Sequence, residues 1–140
     1  MKYLFSILQI TLCVFALSSC KMGDENGDLD GMWQLTEWND RATNASKATK
    51  TDQIFVSFQL KVMKFDRMNQ KQYYLANFAH RNDSIIVGKT IEYPADTIVA
   101  MDTLTMGFAV PADRRFHIDE LSSSHMQLST ASDILQFRKY

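Results

Sequence analysis

Behind an apolar amino terminus, the chain alternates apolar and polar side chains in short runs separated by turn residues. This is the period-two signature of strands buried on one face. The first run, residues 31–38, places Trp33, Leu35 and Glu37 on one side. Residues 39–52 are polar and read as a loop. Ile54, Val56, Phe58 and Leu60 then share a face, but Met63 and Phe65 have the opposite parity. A bulge or a turn near Lys61 must shift the register, because a slip of one residue reverses every side chain.

The same pattern continues to the carboxy terminus. Residues 72–80 align Tyr74, Ala76 and Phe78, and Asn82-Asp83 turns the chain into a strand over 84–87 that Gly88 is expected to end. Residues 91–99 predict an edge or bent strand, since Pro94 cannot donate to a central ladder. Residues 104–110 fit a short strand or one helical turn. After a turn at Pro111-Ala112-Asp113, three more strands are expected, carrying Phe116 and Ile118, Met126 and Leu128, and Leu135 and Phe137. No window sustains a helical period and no solenoid-length repeat appears. Seven to nine short strands with close turns imply an antiparallel sandwich or barrel, whose closure removes exposed edges.

The amino terminus carries Lys2, a nearly unbroken apolar run over residues 3–17, and then Leu17-Ser18-Ser19-Cys20. Charged start, apolar middle and small residues before a cut are the order of a secretory signal. The run is shorter than the ~20 residues a helix needs to cross a bilayer. A cysteine directly after Leu-Ser-Ser resembles the lipobox of bacterial lipoproteins, which implies cleavage after residue 19 and acylation of Cys20. Each buried methylene of an acyl chain contributes about 0.8 kcal/mol, so several chains on one cysteine form a durable anchor. Cys13 would leave with the signal and Cys20 would be consumed by lipid, so the mature chain is expected to carry no disulfide.

Residues 20–28 are polar and acidic with two glycines and read as a flexible tether, leaving 29–140 as one domain of ordinary size. Lys21 followed by Asp24 and Glu25 resembles the surface-export tether of Bacteroidetes lipoproteins, although Met22 and Gly23 intervene. The expected location is therefore the cell envelope, with a lipid anchor in the outer membrane and surface exposure left open. Lys and Arg number 15 against 16 Asp and Glu, and they are interspersed. That balance argues against a nucleic-acid footprint.

Gly31-x-Trp33 opens the first strand and Phe137-Arg138-Lys139-Tyr140 ends the last. Together with Asn82-Asp83-Ser84-Ile85-Ile86 and residues 116–121, these pieces resemble the small lipocalin-like lipoproteins of Bacteroidetes. The resemblance implies an all-β, antiparallel, up-and-down barrel of about eight strands. It also implies that Trp33 plugs one end with Arg138 lying across it, a cation-indole contact of about 0.5 to 2 kcal/mol. No helical period follows the last strand, unlike full-length lipocalins, so a shortened or imperfectly closed barrel stays open as an alternative.

An eight-stranded barrel either fills with side chains or holds one small ligand. The parities assign Trp33, Leu35, Ile54, Val56, Phe58, Leu60, Tyr74, Phe78, Phe116, Ile118, Leu128, Leu135 and Phe137 to the interior. Glu37, Phe58, Tyr74 and Phe78 are the candidate ligand contacts, with Glu37 the one carboxylate on that face. His80, His117 and His125 lack paired metal-ligand spacing, no Gly-x-Ser-x-Gly elbow is present, and no glycine-rich phosphate loop signals a cofactor. His117 and Asp119 are expected side by side on the outer face. The first functional expectation is a non-enzymatic, lipid-anchored protein binding a small, largely apolar molecule. The second is a filled barrel acting as an interaction module in an envelope protein assembly.

Overall fold

The structure, a computed structural model, describes residues 25–99 and 109–140. The expected signal, Cys20, residues 21–24 of the tether and residues 104–108 lie outside them. Among the described residues ten strands follow in order: β1 (Gly31–Asp40), β2 (Ser46–Ala48), β3 (Ile54–Gln59), β4 (Val62–Arg67), β5 (Tyr73–Arg81), β6 (Ser84–Tyr93), β7 (Thr97–Val99), β8 (Arg115–Leu121), β9 (His125–Ser129) and β10 (Asp133–Lys139). All pairings are antiparallel. Among the described residues there is no α-helix, only two short 3-10 turns at Gly27–Leu29 and Lys50–Asp52.

Eight strands close on themselves in the order β1-β3-β4-β5-β6-β8-β9-β10, and β10 pairs back onto β1 from Trp33↔Lys139 to Asp40↔Asp133. β2 and β7 are short additions to β1 and β6. The all-β architecture expected from the period-two pattern, in the up-and-down order implied by the resemblance, is therefore present, as a ring of hydrogen bonds rather than a regular barrel. The core lies inside the ring, where Trp33, Leu35, Ile54, Val56, Phe58, Phe116, Leu128, Leu135 and Phe137 are buried as expected. Leu29, Met63, Phe65, Ile85, Val87 and Met126 join them.

The parity reversal between β3 and β4 is resolved by a two-residue turn at Leu60-Lys61, with Gln59 opposite Val62. This corrects the inward assignment of Leu60, which has φ of 55° in the turn and is exposed. Met63 and Phe65 return to the interior opposite Phe58 and Val56.

Three bulges make the ring irregular. In β1, Leu35 faces Phe137 but Glu37 faces Gln136, so Thr36 is the extra residue and the faces swap beyond it. In β6, Ala76 faces Thr90 and Phe78 faces Val87, so Gly88 and Lys89 together oppose Asn77. Gly88 does not end the strand, as its sequence context suggested. A Cβ there would lie 2.9 Å from the Asn77 carbonyl oxygen, so the position admits a close strand approach that only glycine permits. In β8, Asp119 is the extra residue between Ile118 and Glu120.

Pro94 follows β6 in the turn to β7, so the weak run over 91–99 is the end of one strand and the start of the next. The expected loop over 39–52 contains β2 and the second 3-10 turn. Asn26 to Asp28, read as the end of a tether, are held to the domain. The Asn26 Nδ2 donates to the Leu60 carbonyl at 2.8 Å and the Lys139 Nζ to the Asp28 carbonyl at 2.8 Å.

Candidate functional site

One end of the ring is closed by residues around Trp33. The indole is fully buried and its Nε1 donates to the Leu29 carbonyl at 2.8 Å, which fixes the 3-10 turn beneath the ring. The cation over the indole is Lys139, 4.9 Å from the ring centroid, and not Arg138. The register explains the exchange. Lys139 faces Trp33 directly and shares its side, whereas Arg138 faces Gln34 on the other side and donates to its Oε1 from Nε at 2.9 Å and Nη2 at 2.7 Å. Gly31, at φ of 119°, leaves room for this lysine, because a Cβ there would sit 3.0 Å from the Lys139 Cε.

The four candidate contacts do not form one cluster. Phe58 and Phe78 meet edge to face at 5.2 Å near this closed end, where the Phe78 amide donates to the Lys61 carbonyl at 2.9 Å. Tyr74 is also buried, but it stands at the start of β5, toward the other end of the ring. Glu37 is turned outward by the Thr36 bulge and accepts a hydrogen bond from the Ser46 Oγ at 3.0 Å. The bulge instead brings Trp38 to the inner side, opposite Leu135, with its Nε1 donating to Asp133 at 2.8 Å.

A carboxylate does reach the inner side of the far rim, from a residue the sequence pattern did not single out. Glu92 faces Tyr74 across β5 and β6 and accepts from the Gln72 Nε2 at 2.5 Å. Its side could be read only with the Gly88-Lys89 bulge in place, which shifts Thr90 and Glu92 to the inner face. Trp38, Val99 and Val110 are partly exposed yet packed on the core. Val99 faces Thr90 close to the point where β6 exchanges β8 for β7 as its neighbour.

Arg114 organises that exchange. β6 pairs with β8 only over Ser84–Ile86 and with β7 only over Thr90–Glu92. Between these stretches the Arg114 guanidinium donates to the carbonyls of Val87 (2.9 Å) and Gly88 and to the Thr90 Oγ1 at 3.3 Å. The Arg114 carbonyl in turn accepts from the Val87 amide at 2.8 Å. The side chain thus supplies donors where the ladder has none. No spacing in the sequence marks it.

Outside the ring, His117 and Asp119 share the outer face as expected, with Nε2 3.8 Å from Asp119 and Nδ1 3.6 Å from Asp83. They border an open cleft of about 310 Å³ with Arg41, Asp113, Arg115 and Ser129. The Ser129 Oγ donates to Asp119 at 3.0 Å, so the carboxylate stands between hydroxyl and imidazole. Nucleophile activation requires the imidazole in the middle, and this order does not provide it. Among the described residues no group of three or more histidines, cysteines or acids is placed to hold a metal ion. Cys20 lies outside the described residues.

Comparison with known proteins agrees with this geometry. The profile of the lipocalin-like domain family matches residues 15–140. No curated protein matches the chain. A lipocalin-like protein from Bacteroides uniformis superposes with a TM-score of 0.61 at 24% identity, covering 81% of this chain and all of that one. An uncharacterized protein from Bacteroides eggerthii gives 0.59 at 20% identity, with 80% and 99% covered. A protein from Burkholderia xenovorans gives 0.52 at 16% identity, with 80% and 83% covered. These likenesses concern the fold; the profile, which spans nearly the whole sequence, shows that the chain belongs to the lipocalin-like domain family.

Proposed function

We propose that this protein is anchored in the cell envelope by lipid on Cys20 and binds a small, largely apolar molecule at the end of its ring away from Trp33, without catalysing a reaction on it. The observation that carries this reading is the asymmetry of the ring. One end is sealed by Trp33, Leu29 and Lys139, with Leu121 partly exposed beside it, whereas the partly exposed Trp38, Val99 and Val110 pack on the core away from that end. An apolar wall with a few polar groups is the ordinary make-up of a small-molecule site. Tyr74 and Glu92 supply that polar character and would meet the polar end of the ligand. Phe58 and Phe78 then act from below, as the packed floor, and Glu37 takes no part.

Titration of the protein with a fluorescent apolar probe such as 1-anilinonaphthalene-8-sulfonate, followed by displacement with a fatty acid, tests this reading. Val110→Asp should weaken probe binding at least tenfold, about 1.4 kcal/mol, in protein that circular dichroism shows to keep the parent's β structure. Equal binding by Val110→Asp and the parent protein contradicts the placement of the site.

The second reading, a filled ring acting as an interaction module, is favoured by the burial of Phe58, Tyr74 and Phe78. It predicts no stoichiometric uptake of the probe.

A further inference from the structure

Seven large hydrophobic side chains are exposed among the described residues, and six of them fall on one stretch: Leu60, Val62, Met68, Ile91, Tyr93 and Ile98. The registers place most of these on one outer face. Lys64, Leu75, Ile91 and Ile98 form a row across β4 to β7, and Tyr73 pairs with Tyr93 beside it. Gly88, which has no side chain, and Asn77 form the floor of an open furrow of about 480 Å³ walled by Val62, Leu75 and Ile91. Tyr73 and Tyr93 stack at 4.7 Å with the Lys64 Nζ 4.6 Å from the Tyr73 ring. The carboxylate of Asp66 on this face is paired with Lys64 at 2.6 Å, and Lys89 lines the furrow itself.

The attachment of the amino-terminal segment to the ring bears on what covers this face. Asn26 is bonded to the Leu60 carbonyl, so the amino-terminal segment meets the ring at the edge of the apolar face. Cys20 is six residues away, and at full extension six residues span only about 20 Å. An acylated Cys20 would therefore hold Leu60 and Val62 within that distance of the bilayer. Exposed aliphatic side chains, tyrosines and lysines together match the chemistry of the membrane-water interface.

The geometry points to a membrane-docking surface: the outer face of β4 to β7, centred on Val62, Ile91 and Ile98, lies against the lipid bilayer to which the chain is tethered. This rests on the lipid-anchor reading above. It gives the domain a fixed orientation, with β10, which stands opposite β5 in the ring, turned away from the membrane.

The test uses the full-length protein purified from its host membrane and reconstituted in phosphatidylethanolamine-phosphatidylglycerol vesicles. Single nitroxide labels are placed by Val62→Cys, Ile98→Cys and Glu120→Cys, and the acyl mass on Cys20 is read by mass spectrometry on the same samples. Docking predicts that labels at 62 and 98 are relaxed several-fold more by oxygen relative to a water-soluble nickel chelate than the label at 120. An acylated protein whose three labels behave alike overturns docking while leaving the anchor intact. Labels at 62 and 98 shielded from both reagents also overturn it, in favour of a protein partner or a second copy. A Cys20 without acyl mass removes the anchor reading, and docking falls with it.

Discussion

At the scale of single residues, the closed end depends on a glycine that serves two purposes. Gly31 holds a φ of 119° and leaves the space through which Lys139 reaches the Trp33 indole. Gly31→Ala should cost about 1–3 kcal/mol, because the backbone conformation and the contact oppose a side chain together. Urea denaturation of the variant measures this, and a loss of only a few tenths would show that the lysine moves aside freely. Asp40 offers a pH-dependent test. The backbone amides of Thr43 and Ala42 donate to its carboxylate and hold it below the usual carboxylate range. A depressed folded pKa stabilises above the unfolded value near 3.9 and ceases to do so as pH falls through the lower folded value. Asp40→Ala should therefore lower the denaturation midpoint at pH 7, with the difference disappearing in strong acid. A difference that persists unchanged at pH 2 rules out the charged form as its source.

Residue roles were legible where parity ran unbroken from a landmark. Trp33 could be placed in the core from its parity with Leu35, and the family resemblance implied its place at the closed end. Glu37 could not be placed, because the extra residue at Thr36 carries no signal in a pattern of alternating side chains. The assignment of the cation to Arg138 failed for a related reason: only the register between β1 and β10 shows that Lys139 stands on the indole side.

At the scale of elements, β6 divides its pairing among three strands and its bulge decides which of its residues line the interior. Gly88→Ala would drive a Cβ against the Asn77 carbonyl and should cost about 1–3 kcal/mol through strand displacement. Arg114→Met should cost about 2–3 kcal/mol, since charge-assisted hydrogen bonds to the Val87 and Gly88 carbonyls are lost together. Hydrogen exchange in that variant should quicken in β6 and β8 before other strands. Uniform acceleration around the ring would show that the guanidinium does not secure this seam. The strands of the ring were legible because each buries one face and turn residues separate them, and their up-and-down order was implied by the family resemblance. The bulges, the three-residue strands β2 and β7 and the role of Arg114 were not, since each depends on contacts between segments distant in sequence.

At the scale of the molecule, an eight-strand ring of this length must divide its interior between packing and space for a ligand. Bulky aromatics fill the end near Trp33, and partly exposed apolar side chains meet the core where β6 leaves β8. All-β character was readable from the period-two pattern, because no helical pattern competes for the same residues, whereas the choice of a closed ring over a sandwich was implied by the family resemblance. Which side chains line the far rim was not readable, as it follows from the bulges in β1 and β6. The ligand-binding account is tested most directly by native mass spectrometry of the protein purified from its own host. It predicts a population heavier than the acylated polypeptide by one small organic molecule, extractable by solvent and absent from Val110→Asp. A single bare mass for the parent protein, together with no uptake of an apolar probe, would contradict it.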